Sequence, residues 1–144
     1  MNDEIQRRLE LTLRDILQAA LPGKRFFPAK GDDESEQDGD TMPEPPFGII
    51  ETVECQKMME NESTWLASVA VSWVTHVDDT GTAEHSVDVD ALHCALESLP
   101  RQFVPARRLS IHGADINGVE QFLDESRKAH GDVVNLTIGV TLFR

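Results

Sequence analysis

His76, Asp78, Asp79, His85, Asp88, Asp90 and His93 fall within eighteen residues and make the densest set of potential metal ligands in the sequence. Imidazole nitrogen and carboxylate oxygen suit zinc, so His85 and His93 with one aspartate would be the centre of a small metal-dependent enzyme using the His76–His93 cluster. The pattern argues against that reading. Asp78 and Asp79 belong to a turn, Asp88 and Asp90 to the first turn of a helix, and no HxxxH or CxxC fixes a ligand face. Cys94 beside His93 invites a thiol nucleophile, but neighbours on a helix point about 100° apart and do not readily share a proton. Cys94 therefore reads as a semi-buried structural cysteine. No GxxxxGK[ST], GxGxxG or GxSxG occurs, so phosphate-cradling and serine-hydrolase chemistry have no foothold. The expectation is a non-enzymatic protein with no catalytic residue, no metal site and no cofactor.

Charge is the louder signal. From Gly31 to Pro100 there are seventeen acidic residues against the single base Lys57, while the flanks hold nine acids and twelve bases. A field this lopsided repels polyphosphate and attracts cations or basic protein. Arg101, Arg107 and Arg108 form the basic cluster outside the first helix. On a proline-flanked loop they would grip carboxylate or phosphate, acidic protein before nucleic acid, or simply form a solvated edge. A positive flank of one subunit docking on the negative middle of the next would propagate head to tail, and such contacts close into rings when the rotation allows. Cys55 and Cys94 are too few for a disulfide framework, so two free thiols in a reducing compartment are expected. With no apolar leader and no run of about 18 apolar residues, the expectation is a soluble protein of the cytosol or of a particle assembled there, without membrane contact.

The elements that must position these residues follow from periodicity. Ile5, Leu9, Leu13, Ile16, Leu17 and Ala20 recur at helical spacing over residues 2–21, with Asn2 as N-cap and Pro22-Gly23 as the stop. Gly31 to Pro46 carries seven acids, three prolines and two glycines, and is expected to be a mobile loop. Phe47 to Glu54 reads as a strand and Lys57 to Ser63 as a polar turn. Thr64 to Asp78 is the strongest strand, with Trp65, Ala67, Val69, Val71, Trp73 and Val77 on one face and smaller, more polar residues on the other. Asp78 to Gly81 supplies a turn, and a helix is expected from Val87 to Leu99. Arg108 to His112 suggests a short strand, and Val133 to Phe143 alternates as a closing strand. Residues 114–130 are ambiguous, since Val119, Phe122 and Leu123 also fit a helical stripe. The chain of 144 residues suits one α+β domain, a mostly antiparallel sheet with two helices packed on one face.

This order of elements resembles the tail-terminator (tail-completion) proteins of long-tailed bacteriophages. The resemblance rests on the first helix ending in Leu21-Pro22-Gly23, the Arg25-Phe26-Phe27-Pro28 strand, an irregular loop, the long alternating strands, the helix from Val89 to Leu99 and the terminal strand. It covers nearly the whole chain, as a layout without signature residues. It implies a non-enzymatic virion protein, a ring of typically six subunits that caps the tail tube and meets the head-tail connector protein. DNA would pass through the ring without specific binding, its regular charge repelled by an acidic lumen, or the acidity merely keeps an abundant assembly protein soluble before it meets its partner. A neck or head-closure ring protein of the same particle is the alternative within that class. An adaptor that captures a basic protein through Gly31 to Pro46 is a further one.

Overall fold

Helical spacing of apolar residues sets the first element. In the structure, a computed structural model that describes residues 2–29, 46–58, 64–76, 79–99, 102–104, 108–124 and 129–142, α1 (Asn2–Ala20) buries Ile5, Leu9, Leu13 and Leu17 completely. The helix stops where Gly23 takes a φ of 85°, a conformation glycine adopts without strain, and Lys24 N–H donates back to the Leu21 carbonyl. There follow β1 (Phe26–Pro28), β2 (Phe47–Lys57), β3 (Thr64–His76), α2 (Asp79–Glu97), β4 (Gln102–Val104), β5 (Leu109–Asp124) and β6 (Ala129–Leu142). The strands form one sheet in the order β1-β2-β3-β6-β5-β4. β1 and β2 run parallel, and every other neighbouring pair is antiparallel.

The fold is α+β, with both helices on one face of the sheet. Alternation decides which side chains meet them: Ala67, Val69, Val71 and Trp73 of β3 and Val134, Leu136, Ile138 and Val140 of β6 join Leu92, Leu96 and Leu99 and the apolar stripe of α1 in one core. Each valine, leucine and isoleucine among them contributes roughly 1.5–3 kcal/mol when fully buried. Trp73 anchors the centre. Its ring lies 5.4 Å from that of Phe26, and its indole N–H donates to Asp88 Oδ2, which also pairs with Lys24 at 3.0 Å through Oδ1.

Several boundaries differ from the sequence reading. α2 begins at Asp79 rather than Val87, so the expected turn residues Asp79-Thr80-Gly81 are helical and Asp88 and Asp90 lie mid-helix. Local turn propensity is only a weak prior, and these residues are taken into the first turn of the helix. β2 continues through Lys57, three residues past Glu54. The short strand expected at 108–112 is a sixteen-residue strand, and residues 114–124 are part of it rather than a helical stripe. Cys94 is exposed rather than semi-buried, and Cys55 is the buried thiol. The acidic segment 31–46, apart from Pro46, lies outside the described residues, as do Arg101 and Arg107.

Candidate functional site

The described members of the histidine–aspartate segment do not converge, and Asp78 and the side chain of Asp79 lie outside the described residues. His76 ends β3 and is exposed; His93 is on α2 and pairs with Glu97 at 2.9 Å; Asp90 is exposed and Asp88 is committed to Trp73 and Lys24. His85 and His93 are eight residues apart on one helix, about 12 Å along its axis. Among the described residues no three histidine, cysteine, aspartate or glutamate side chains form a group that could hold a metal ion.

His85 has other partners. It is buried beneath α2, with Nδ1 3.0 Å from Thr75 Oγ1 and Nε2 2.8 Å from Asp132 Oδ1, and its ring stacks obliquely on His130 at 4.3 Å. A hydroxyl, an imidazole and a carboxylate in a row have the composition of a nucleophile relay. The placement is wrong for one: Thr75 is 5% exposed and does not line the neighbouring cavity. The sequence offered no signal for this row, because Asp132 lies 47 residues from His85 and meets it only through the β3–β6 register.

The opposite face of the sheet has a different character. It carries Ser68, Ser72, Asn135, Thr137 and Thr141 together with the acids Glu51, Glu54, Asp115 and Glu120, and no paired strand position on it is lysine or arginine. Two β-bulges in β5, at His112 and Asn117, turn polar side chains across to β6. His112 Nε2 lies 2.8 Å from Thr141 Oγ1, and Asn117 Nδ2 donates to Thr137 Oγ1 at 2.7 Å. Asn135 Nδ2 reaches Glu120 Oε1 at 3.4 Å, so the face is a stitched polar surface. At one end an apolar strip replaces it: Phe47, Val74 and Ala129 pack with Phe27 and Ile49, and the Phe122 ring fills the space where a Cβ on Gly131 would stand.

The outermost strands β1 and β4 are short, and β2 and β5 run past them. β1 covers only Gly48–Ile50 of β2, and β4 covers only Leu109–Ile111 of β5. Among the described residues no strand pairs with the outer edge of β2 over Glu51–Lys57 or of β5 over His112–Asp124. The β2 edge is partly guarded from within, since the buried Glu10 carboxylate of α1 accepts the Thr52 N–H at 2.8 Å, just before the bulge at Val53. Val53 itself is 63% exposed.

The expected arginine cluster is represented by Arg108, which is exposed in the turn before β5 with a φ of 53°, its carbonyl held by the Arg8 guanidinium at 2.8 Å. Burial, then the nearby charges of Glu10 and Glu54, push the Cys55 thiol from its ordinary 9.0 up to about 11. That thiol is protonated and inert near neutrality. No helix among the described residues is long and apolar enough to cross a membrane. Compared with known proteins, the chain matches no family model, and no curated protein sequence matches it.

Proposed function

We propose that this chain is a ring-forming structural subunit, a non-enzymatic virion protein whose (hexameric) ring caps the tail tube of a long-tailed bacteriophage and joins it to the head connector. The observation that carries this reading is the pair of long strand edges, on opposite sides of one sheet, that no described strand covers. A subunit with two different free edges propagates head to tail, and a rotation that closes gives a ring. The bulges and acids along each edge disfavour indiscriminate pairing and reserve it for a surface of matching shape. The polar sheet face is suited to line an aqueous channel through which DNA slides, because none of its paired strand positions presents a lysine or arginine to a phosphate and its charged strand residues Glu51, Glu54, Asp115 and Glu120 are acids; Arg25, stacked on Phe27, stands at its apolar end. The order of elements adds the family-level part of the reading, together with the tail tube and connector proteins as partners and the virion, assembled in the host cytoplasm, as the location.

Electron microscopy of the purified protein, alone and with tail tubes lacking a terminator, tests it. Sixfold rings that seat on one tube end are the expected images. Twelvefold rings would move the assignment to a neck or head-closure protein, and particles that never form rings even on tubes would remove the proposal.

A further inference from the structure

We infer that the cavity between α2 and the far end of the β5–β6 hairpin is a binding site for an alkyl-borne cation, the guanidinium or ammonium of an arginine or lysine side chain or of an amine of that shape. The cavity measures about 440 Å³ and is walled by His85 and Ser86 of α2, Gln121 and Leu123 of β5, and His130 and Asp132 of β6. Sites for small ligands have volumes of roughly 300–1,000 Å³ and combine apolar walls with a few convergent polar groups. The register sets Gln121 opposite Asp132 and Leu123 opposite His130, so a polar pair and an apolar–polar pair lie side by side near His85.

Asp132 gives the site its chemistry. Its residue is 9% exposed, and its carboxylate is held by the 2.8 Å contact to His85 Nε2. Both ring nitrogens of His85 are engaged, Nδ1 with the Thr75 hydroxyl and Nε2 with the Asp132 carboxylate. The carboxylate is thereby oriented, and among the described residues no lysine or arginine lines the cavity. A sequestered carboxylate is stabilised strongly by a cation that replaces its lost hydration. Leu123, 59% exposed, supplies an apolar wall for the stem, and the Gln121 amide and Ser86 hydroxyl supply polar contacts beside the charge. The protein's net charge of −13 draws cations toward it. This inference stands apart from the ring reading, since all the described walls of the cavity come from one chain.

The test follows the imidazole NMR signals of His85 and His130 during titration of the full chain with N-acetyl-arginine methylamide. N-acetyl-citrulline methylamide serves as the uncharged isostere. The pH is held at about 8, above the ordinary imidazole range. Saturable shifts with the arginine compound, at least tenfold tighter than with citrulline, are expected. Asp132→Asn, which keeps an acceptor for His85, should bring the two compounds level while leaving backbone signals elsewhere unmoved. Should that variant fail to fold, Ser86→Lys at the exposed rim provides a tethered ammonium that blocks the probe. Equal response to both compounds, no saturable response, or arginine binding undiminished in the folded variants would overturn the inference. A dilution series without probe separates the sources: His130 signals that move with protein concentration point to a side chain of a second copy, and invariant ones to a separate basic partner or amine.

Discussion

On β3 alone, Ala67, Val69, Val71 and Trp73 lie under the two helices, while Leu66, Ser68, Ala70 and Ser72 look the other way. The same strand is thus read twice, once by a packed core and once by a surface of small polar groups and acids. On the core face, volume and shape decide what is tolerated, because the interior has crystal-like density. On the open face, cross-strand hydrogen bonds of modest individual value hold side chains in place. The comparison separates what makes the chain fold from what it presents to others.

The comparison breaks most visibly at Trp73. Trp73→Ala should cost about 3–5 kcal/mol in denaturant unfolding, through lost burial and the cavity left behind. Ser72→Ala, its neighbour on the open face, should stay within about 0.5 kcal/mol, as surface changes do. Equal losses at the two positions would mean that the open face is itself a packed interior. Glu10 probes the join between the faces. Glu10→Leu removes the acceptor of the Thr52 N–H and should destabilise by about 1–3 kcal/mol. Glu10→Gln, which retains an acceptor oxygen, should recover most of that loss.

The thiols sharpen the contrast in reactivity. At pH about 7.5 a maleimide should modify the exposed Cys94 quickly and reach the buried Cys55 only on unfolding. Because folding holds the Cys55 proton more tightly than the unfolded chain does, its contribution to stability is constant below pH 9 and falls between 9 and about 11. A Cys55→Ala protein should lack that part of the alkaline decline, seen in unfolding curves at pH 8, 9.5 and 11. A gain rather than a loss is expected at Thr52, whose buried hydroxyl has no hydrogen-bond partner among the described residues. Thr52→Val preserves shape and should stabilise by about 1 kcal/mol. A loss instead would point to a buried water serving that hydroxyl.

How much of this was legible in the sequence depends on whether the pattern stayed regular. α1, β3 and β6 each keep one period from end to end, so their faces could be assigned residue by residue. β5 does not. Its bulges at His112 and Asn117 put Leu109, Ile111, Ala114, Ile116 and Val119 on the core side at intervals of two and three, which imitates a helix. That irregular interval, flanked by Gly113 and Gly118, is the signal that a double-bulged strand leaves. The start of α2 was hidden by turn-forming residues that the helix absorbs. The row Thr75–His85–Asp132 had no local signature, since its members come from three elements joined only by the fold. The division of charge was legible in sequence yet does not survive as a division in space: β6 lies between β3 and β5, so Glu51 and Glu54 of the acidic middle share the open face with Asp115 and Glu120 of the C-terminal flank.

Assembly through the free edges is the central claim, and the mass of the protein in solution tests it most directly. Light scattering would compare the natural chain with Val53→Lys across a range of concentration and salt. Lysine on an exposed edge obstructs strand pairing without touching the core. A mass near six times the 16.0 kDa subunit that grows with salt, as acid-bearing edges are screened, and that Val53→Lys reduces to the monomer without lowering its melting temperature, is the expected result. An assembly that salt dissolves and Val53→Lys leaves intact, or a natural chain that stays monomeric at every concentration, would contradict it.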